Sequence, residues 1–307
     1  MATLVPGRRR AGVPPAPAPP PRPRTLSAVK SDAEAPRFLD ANGLRVGYDV
    51  VGTGPPLVLL HGASSTGRED FGAQLPTLGH AFTCYLPDAR GHGRTVYDTA
   101  NGLALDDLVA DVAAFVDGLG FDALDLVGFS MGGATALAYA MEHSARLRSL
   151  VLVGTATERE PRTRVIRRLA DVGRIEHQDP AWAAALARRH DPAQGQGAWR
   201  RLMPAIVAFV AAQEPPTPAR LRQVEVPALV VVGDRDPVVP VPQALALARQ
   251  LPDARLFVVP ACGHEVPAER PGLFTEALTG FYRAVDTGGQ RRHLPRRAVG
   301  GSTWPTS

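Results

Sequence analysis

The stretch Leu124-Asp125-Leu126-Val127-Gly128-Phe129-Ser130-Met131-Gly132-Gly133 decides the reading of the chain. An apolar run ends in a glycine, a serine follows two residues later, and two more glycines come after it. Behind them, Ala134 to His143 favours helix. The pattern predicts a strand, a sharp turn and a helix, with Ser130 at the apex. Such a reversal leaves little room, so the residues two before and two after the serine must be small, as Gly128 and Gly132 are. The turn is expected to force Ser130 into an unfavourable backbone conformation that lifts its hydroxyl clear of the sheet. The helix that begins there points its amide dipoles at negative charge developing on a bound molecule.

The 307 residues suit one large domain or two small ones, and an apolar content of 45% supplies a substantial core. The formal charge of +4 is unevenly placed. Residues 1–37 carry seven basic side chains against Asp32 and Glu34, and residues 287–307 carry four arginines, so the segment between is net −5. The basic character belongs to the ends, and nucleic-acid binding by the folded part gets no support. Cys84 and Cys262, the two cysteines, read as buried, reduced thiols. Cysteines and histidines show no metal-ligand spacing, and no metal is expected. The N-terminal arginine run leads into proline-rich sequence, Ala11 to Arg24, instead of the apolar core of a secretion signal. No segment approaches membrane-spanning length, so a soluble cytoplasmic protein is expected.

Residues 1–36, rich in Pro, Ala and Arg, cannot bury a core and are expected to be a disordered extension. Phe38–Asp40 and Leu44–Val51 then bracket the turn Ala41-Asn42-Gly43 as a hairpin. Leu57–Leu60 is apolar without alternation, as a strand covered on both faces should be. Phe82–Leu86, Leu147–Val153, Ala228–Val232 and Leu256–Val259 are further strands. Helices are expected over Glu69–Leu78, Leu103–Leu119, Pro242–Gln250 and Leu273–Val285. Between Gly154 and Val224 strand signals vanish. Val165, Ile166, Leu169, Val172 and Ile175 share one helical face there, with Arg162, Arg164, Arg167 and Arg168 mostly elsewhere. A second helix is expected over Trp182–Arg189. A third runs from Trp199 to Val210, where Pro204 must kink it or mark its first turn. Roughly seventy residues exceed an ordinary loop. Residues 155–224 are therefore expected to be a helical lid on a core made of 37–154 and 225–286, with 287–307 a disordered tail. Alternating strands and helices argue for an α/β fold whose mostly parallel sheet is covered on both faces, with reactive groups at the carboxyl ends of its strands.

A serine hydroxyl needs a base to take its proton and a third group to orient that base. Two later strand ends offer candidates. His264 lies in Ala261-Cys262-Gly263-His264-Glu265, and Asp236 and its neighbour Asp234 lie in Gly233-Asp234-Arg235-Asp236-Pro237. Glu158, beyond Leu147–Val153, is a third candidate acid. His80, His143, His177, His190 and His293 follow no suitable strand.

In these motifs the sequence resembles the α/β-hydrolase superfamily, in its lid-bearing esterase, lactonase and C–C hydrolase branch. His61-Gly62, Asp88-Ala89-Arg90-Gly91-His92-Gly93, Gly128–Gly133, Gly233–Asp236, and Gly263-His264 with Glu269 and Pro271 behind occur in order between about Arg37 and Asp286. The resemblance implies an eight-stranded sheet, structural roles for His61 and His92, and a triad of Ser130, Asp236 and His264. It further implies an oxyanion pocket formed by the backbone N–H groups of Met131 and Ala63, each worth roughly 3 kcal/mol in the transition state. The expectation is a cofactor-free serine hydrolase cleaving a small carboxylic ester or lactone through an acyl-enzyme. Hydrolysis of a C–C bond in a vinylogous diketone uses the same triad and stays open. So does, in a different class, a non-hydrolytic ligand receptor. Serine at position 130 disfavours the relatives with carboxylate nucleophiles, the epoxide hydrolases and haloalkane dehalogenases. The apolar faces of the lid are expected either to wall a pocket for an uncharged acyl or ring group or merely to pack onto the domain.

Overall fold

A computed structural model describes residues 37–291. The expected extension at 1–36 and residues 292–307 of the expected tail lie outside the described residues. The strands are β1 (Arg37–Ala41), β2 (Leu44–Gly52), β3 (Pro56–Leu60), β4 (Thr83–Pro87), β5 (Leu124–Phe129), β6 (Leu147–Val153), β7 (Ala228–Gly233) and β8 (Ala254–Val259). They form one sheet in the order β1-β2-β4-β3-β5-β6-β7-β8. Neighbours from β4 to β8 are parallel, while the hairpin β1-β2 joins β4 antiparallel.

The α-helices are α1 (Gly67–Phe71), α2 (Leu75–Leu78), α3 (Leu105–Gly118), α4 (Met131–His143), α5 (Arg162–Leu169), α6 (Val172–Gln178), α7 (Pro180–Gln194), α8 (Trp199–Ala212), α9 (Pro218–Leu221), α10 (Val241–Gln250), α11 (Val266–Glu269) and α12 (Pro271–Arg291). The unbroken apolar runs of the central strands have the meaning the sequence assigns them. Leu124 and Leu126 of β5 join Leu150, Leu152 and Val230 in one buried cluster, packed by α3, α4 and α10. Val127 and Phe129 of the same strand join Val151, Val153 and Val231 in another, packed by α1, α2 and α12. A strand with both faces covered has no polar face to show.

Four helical stretches differ from expectation. The single helix over 69–78 is two short ones, because Pro76 sits at the start of α2 and its ring cannot follow an uninterrupted turn. The face from Val165 to Ile175 is divided between α5 and α6, where the Asp171 side chain accepts from Arg174 N–H at 2.7 Å and starts a new helix. α7 begins earlier and ends later than Trp182–Arg189. Asp179 caps it through Trp182 N–H at 3.0 Å, Pro180 fills its first position, and Gly195, with φ +92°, stops it. α8 runs through Pro204. α12 continues past Val285 to Arg291.

Helices α5 to α8 all lie between β6 and β7. Trp199, Leu202, Met203 and Ile206 of α8 pack with Ile175 and Leu186 of the same insert and with Leu108 and Met131 of the core. Cys84 and Cys262 are free and buried, and burial pushes the Cys84 thiol up to about 12. Among the described residues no helix is long and apolar enough to cross a membrane.

Candidate active site

The turn after β5 is as tight as its glycines require. Ser130 has φ +52° and ψ −109°, a backbone region that side-chain-bearing residues avoid. A Cβ on Gly128 would lie 2.2 Å from the Gly132 carbonyl oxygen, and one on Gly132 would lie 2.2 Å from that of Leu60. Both obstacles are backbone. Ser130 N–H donates to Val153 O at 2.9 Å and Gly132 N–H to His61 O at 3.1 Å, which pins the elbow between β3 and β6.

Two later loops bring partners to this hydroxyl. His264 Nε2 lies 2.9 Å from Ser130 Oγ, and His264 Nδ1 lies 2.8 Å from Asp236 Oδ2. Asp236 Oδ1 accepts from the N–H groups of Val238 and Val239 at 2.7 and 2.9 Å. Its carboxylate is thus fixed by its own loop, and its free oxygen takes the imidazole N–H. That bond places the histidine hydrogen on Nδ1 and leaves the Nε2 lone pair facing the serine. Of the competing acids, Asp234 accepts from Cys262 N–H at 3.0 Å, and Glu158 accepts from Gln243 Nε2 at 3.3 Å.

Further residues shape the site, Glu269 among them from the last of the motifs and the others unmarked in sequence. Glu269 accepts from Gly263 N–H at 2.8 Å and Glu265 N–H at 3.2 Å, gripping the backbone on both sides of His264. Gly154, with φ +55°, leaves space for the imidazole, since a Cβ there would stand 2.9 Å from His264 Cε1. Across the serine, Gly62 N–H donates to Asp70 Oδ2 at 2.7 Å and Ser65 Oγ to Asp70 Oδ1 at 2.6 Å. Burial holds the Asp70 carboxyl up at about 6. The N–H groups of Ala63 and Met131 donate to no acceptor among the described residues, and both residues line the pocket that holds Ser130.

The far wall of that pocket belongs to the insert: Arg162 and Ile166 of α5, Ile206 and Phe209 of α8. The arginine is at odds with the first of the two expectations for these helices, a wall for an uncharged group. Arg162 is 8% exposed, donates to Gln213 Oε1 at 2.7 Å, and keeps a buried Nε with no partner. Among the described residues no carboxylate pairs with it. In sequence Arg162, Arg164, Arg167 and Arg168 fall mostly off the apolar face, and nothing in their spacing marks the first as the buried one.

A serine on a strand–turn–helix elbow of a doubly covered parallel sheet, backed by imidazole and carboxylate from later strand ends, defines a class of nucleophilic hydrolases. The chain belongs to one family of that class, the alpha/beta hydrolase family, whose model matches residues 57–277, and it is a hydrolase. It is similar to the 2-hydroxy-6-oxo-6-(2'-aminophenyl)hexa-2,4-dienoic acid hydrolase of Metapseudomonas resinovorans, at 28% identity over 83% of this chain and 93% of the relative. It is 27% identical to the 2-hydroxymuconate semialdehyde hydrolase of Pseudomonas sp. (strain CF600), over 85% of this chain and 98% of that one. The solved structure of Est816, an N-acyl homoserine lactone degrading enzyme, superimposes with a TM-score of 0.66 at 27% identity, covering 80% of this chain and 100% of the other.

Proposed function

We propose that this hydrolase cleaves a carbon–carbon bond in a small, carboxylate-bearing vinylogous diketone, with Ser130 as nucleophile, His264 as base and then acid, Asp236 as its orienting group, and α5 to α8 as the lid. The observation that carries the choice of substrate is Arg162, a buried guanidinium without a counter-ion in the pocket of the serine. An uncompensated buried charge is costly, and an anionic substrate supplies the missing partner. The two dienoate and semialdehyde hydrolases it resembles over nearly their whole length point the same way. This reverses the expected order, in which an ester or lactone stood first. Ester or lactone hydrolysis by the same side chains is the second reading, favoured by the likeness to the lactone-degrading enzyme.

In the proposed cycle, His264 Nε2 takes the Ser130 proton as Oγ attacks the keto carbon. The carbonyl oxygen becomes an oxyanion received by the N–H groups of Met131 and Ala63. Collapse of this intermediate breaks the carbon–carbon bond. Its electron pair is delocalised over the conjugated chain onto the distant carbonyl oxygen, and the resulting dienolate leaves with the proton from His264. Water then attacks the acyl group on Ser130, His264 takes its proton and returns it to Oγ, and a carboxylic acid departs.

The test compares 2-hydroxy-6-oxo-6-phenylhexa-2,4-dienoate, the enol that becomes the vinylogous diketone when its hydroxyl proton moves to the carbon beside the keto carbon of the scissile bond, with p-nitrophenyl acetate. The dienoate is expected to have a kcat/KM at least ~100-fold higher. Arg162→Gln is expected to raise KM for the dienoate roughly 10- to 100-fold, the worth of a charge-assisted bond, and to leave the ester within about twofold. Turnover of the ester without the dienoate would sink the reading, and so would equal losses on both substrates. Fluorophosphonate labelling of the wild type but not of Ser130→Ala checks the nucleophile separately.

A further inference from the structure

We propose that His190, on α7 of the insert, is a positioning residue for the Ala63 N–H, so that the insert is a working part of the reaction centre as well as its cover. The proposal rests on Ser130 being the nucleophile and goes beyond it.

The loop from His61 to Ser65 holds three successive peptide groups, each bound by one imidazole. The group joining Gly62 to Ala63 is bound at its carbonyl, with Gly62 O 2.7 Å from His61 Nδ1. The next, joining Ala63 to Ser64, is bound at its N–H, which donates to His92 Nε2 at 3.2 Å. The third, joining Ser64 to Ser65, is bound at its carbonyl. Ser64 O lies 3.2 Å from His190 Nε2 and also accepts from Arg189. Each ring's other nitrogen is tied to backbone too. Ala89 N–H donates to His61 Nε2 at 2.9 Å, and Gly93 N–H donates to His190 Nδ1 at 3.1 Å. His92 Nδ1 lies 3.0 Å from Arg90 O. These bonds dictate the tautomers, with hydrogen on Nδ1 of His61 and His92 and on Nε2 of His190. The rings stand in file, with centroids 5.2 Å and 5.6 Å apart.

What the file holds is strained. Ser64 has φ +59°, a region that side-chain-bearing residues avoid and that persists only where the surroundings impose it. His92 grips the N–H of Ser64, and His190 grips its carbonyl. If Ser64 relaxed to negative φ, the peptide groups before it would turn, and the free N–H of Ala63 would turn with them. Two of the three imidazoles come from the core. The third comes from the insert, on a helical turn where sequence placed no functional residue. Arg189 reaches the same carbonyl, but its guanidinium is shared with Glu69.

Phenylboronic acid reports on this directly. Boron accepts the Ser130 Oγ lone pair, the hydroxyl proton passes to His264, and the tetrahedral adduct places an oxygen at the oxyanion position. Its Kd is to be measured by calorimetry for the wild type, Ser130→Ala, His190→Leu, His190→Asn, His190→Gln and Leu186→Ala, alongside kcat and KM for the dienoate. His190→Leu and His190→Asn, which lose the donor to Ser64 O, are expected to weaken the adduct roughly tenfold or more and to lower kcat by a similar factor, with KM within about twofold. His190→Gln, whose longer amide can donate to Ser64 O, is expected to recover most of the loss. Leu186→Ala removes buried packing from the same helix and is expected to lower Tm without changing the boronate Kd. If the Leu variant does not fold, the Asn variant carries the comparison. Equal boronate affinity in the wild type and the donor-less variants overturns the proposal. An equal loss in Leu186→Ala overturns it too, since docking of the helix would then be the cause. A wild type that binds no better than Ser130→Ala overturns the nucleophile reading itself.

Discussion

The two N–H groups that flank Ser130 are held by unlike means. That of Met131 is set by backbone against backbone: Ser130 and Gly132 hydrogen-bond to Val153 and His61 carbonyls, and neither Gly128 nor Gly132 has room for a methyl group. That of Ala63 is set by side chains from four places: His61 in the loop itself, Asp70 on α1, His92 after β4, and His190 on α7. The difference teaches what each half can respond to. A backbone-built half does not titrate and tolerates no added volume. A side-chain-built half tolerates some change but is exposed to protons.

The largest effect is expected on the backbone side. A Cβ on Gly132 meets Leu60 O at 2.2 Å and His61 O at 2.6 Å, so β3 and α4 must part to admit it. Gly132→Ala is expected to cost more than ~4 kcal/mol or to yield no soluble protein, read by urea unfolding. A folded, active variant would break the comparison outright.

On the side-chain side the expected effects are smaller and depend on pH. The Asp70 carboxyl is raised from its ordinary 3.8 to about 6 by burial, so the folded protein holds that proton more tightly than the unfolded chain. Its contribution is present in acid and is lost as pH rises from about 4 through 6. Asp70→Asn, which cannot ionise, is expected to gain on the wild type by about 2 kcal/mol between pH 4 and pH 7, measured as unfolding free energies across that range.

The histidines act with the opposite sign. Burial lowers His61 to about 4, and lowers His92 and His190 to about 3. Below the ordinary value of 6.5 the unfolded chain binds protons that the folded one refuses, so stability falls as the solution is acidified from 6.5 towards 4. Each ring is expected to contribute about 1.4 kcal/mol per pH unit. His190→Leu should remove one ring's share of that slope in unfolding curves taken at successive pH values. An unchanged slope would mean that His190 is not the buried, neutral group described. The smallest effect sharpens the picture of Asp70. Ser65→Ala removes one of its two hydrogen bonds and is expected to cost about 1 kcal/mol at neutral pH and to move the Asp70 midpoint upward, followed by NMR titration.

The backbone-built half is also the half that could be read in the sequence. Glycine spacing around Ser130 and unbroken runs such as Leu147–Val153 report local constraints, and local constraints leave local marks. The place of His264 beside Ser130 is legible because it follows a strand that ends at the same edge of the sheet. The side-chain-built half is not. Asp70 and His190 act across 8 and 126 positions, and neither sits in a pattern that periodicity can pick out. Apolar spacing marks the helix carrying His190 only as far as Arg189, while its true limits lie at Asp179-Pro180 and Gly195, and a histidine that follows no strand carries no signal of a role. Arg162 was hidden by its neighbours: four arginines in seven residues look like a wetted surface. Pro76, by contrast, is a local breaker that the sequence displays openly.

The contact between α7 and the His61–Ser65 loop bears on how such an enzyme can be remade. Exchanging everything between β6 and β7 for the corresponding piece of another hydrolase is an inviting way to change what it accepts. Here that graft would also remove the His190 contact to Ser64 O, which the proposal above makes a support of the oxyanion position. A chimera that keeps residues 186–194 and swaps only the helices on either side should retain its turnover, while a wholesale transplant should bind its new ligand and stall.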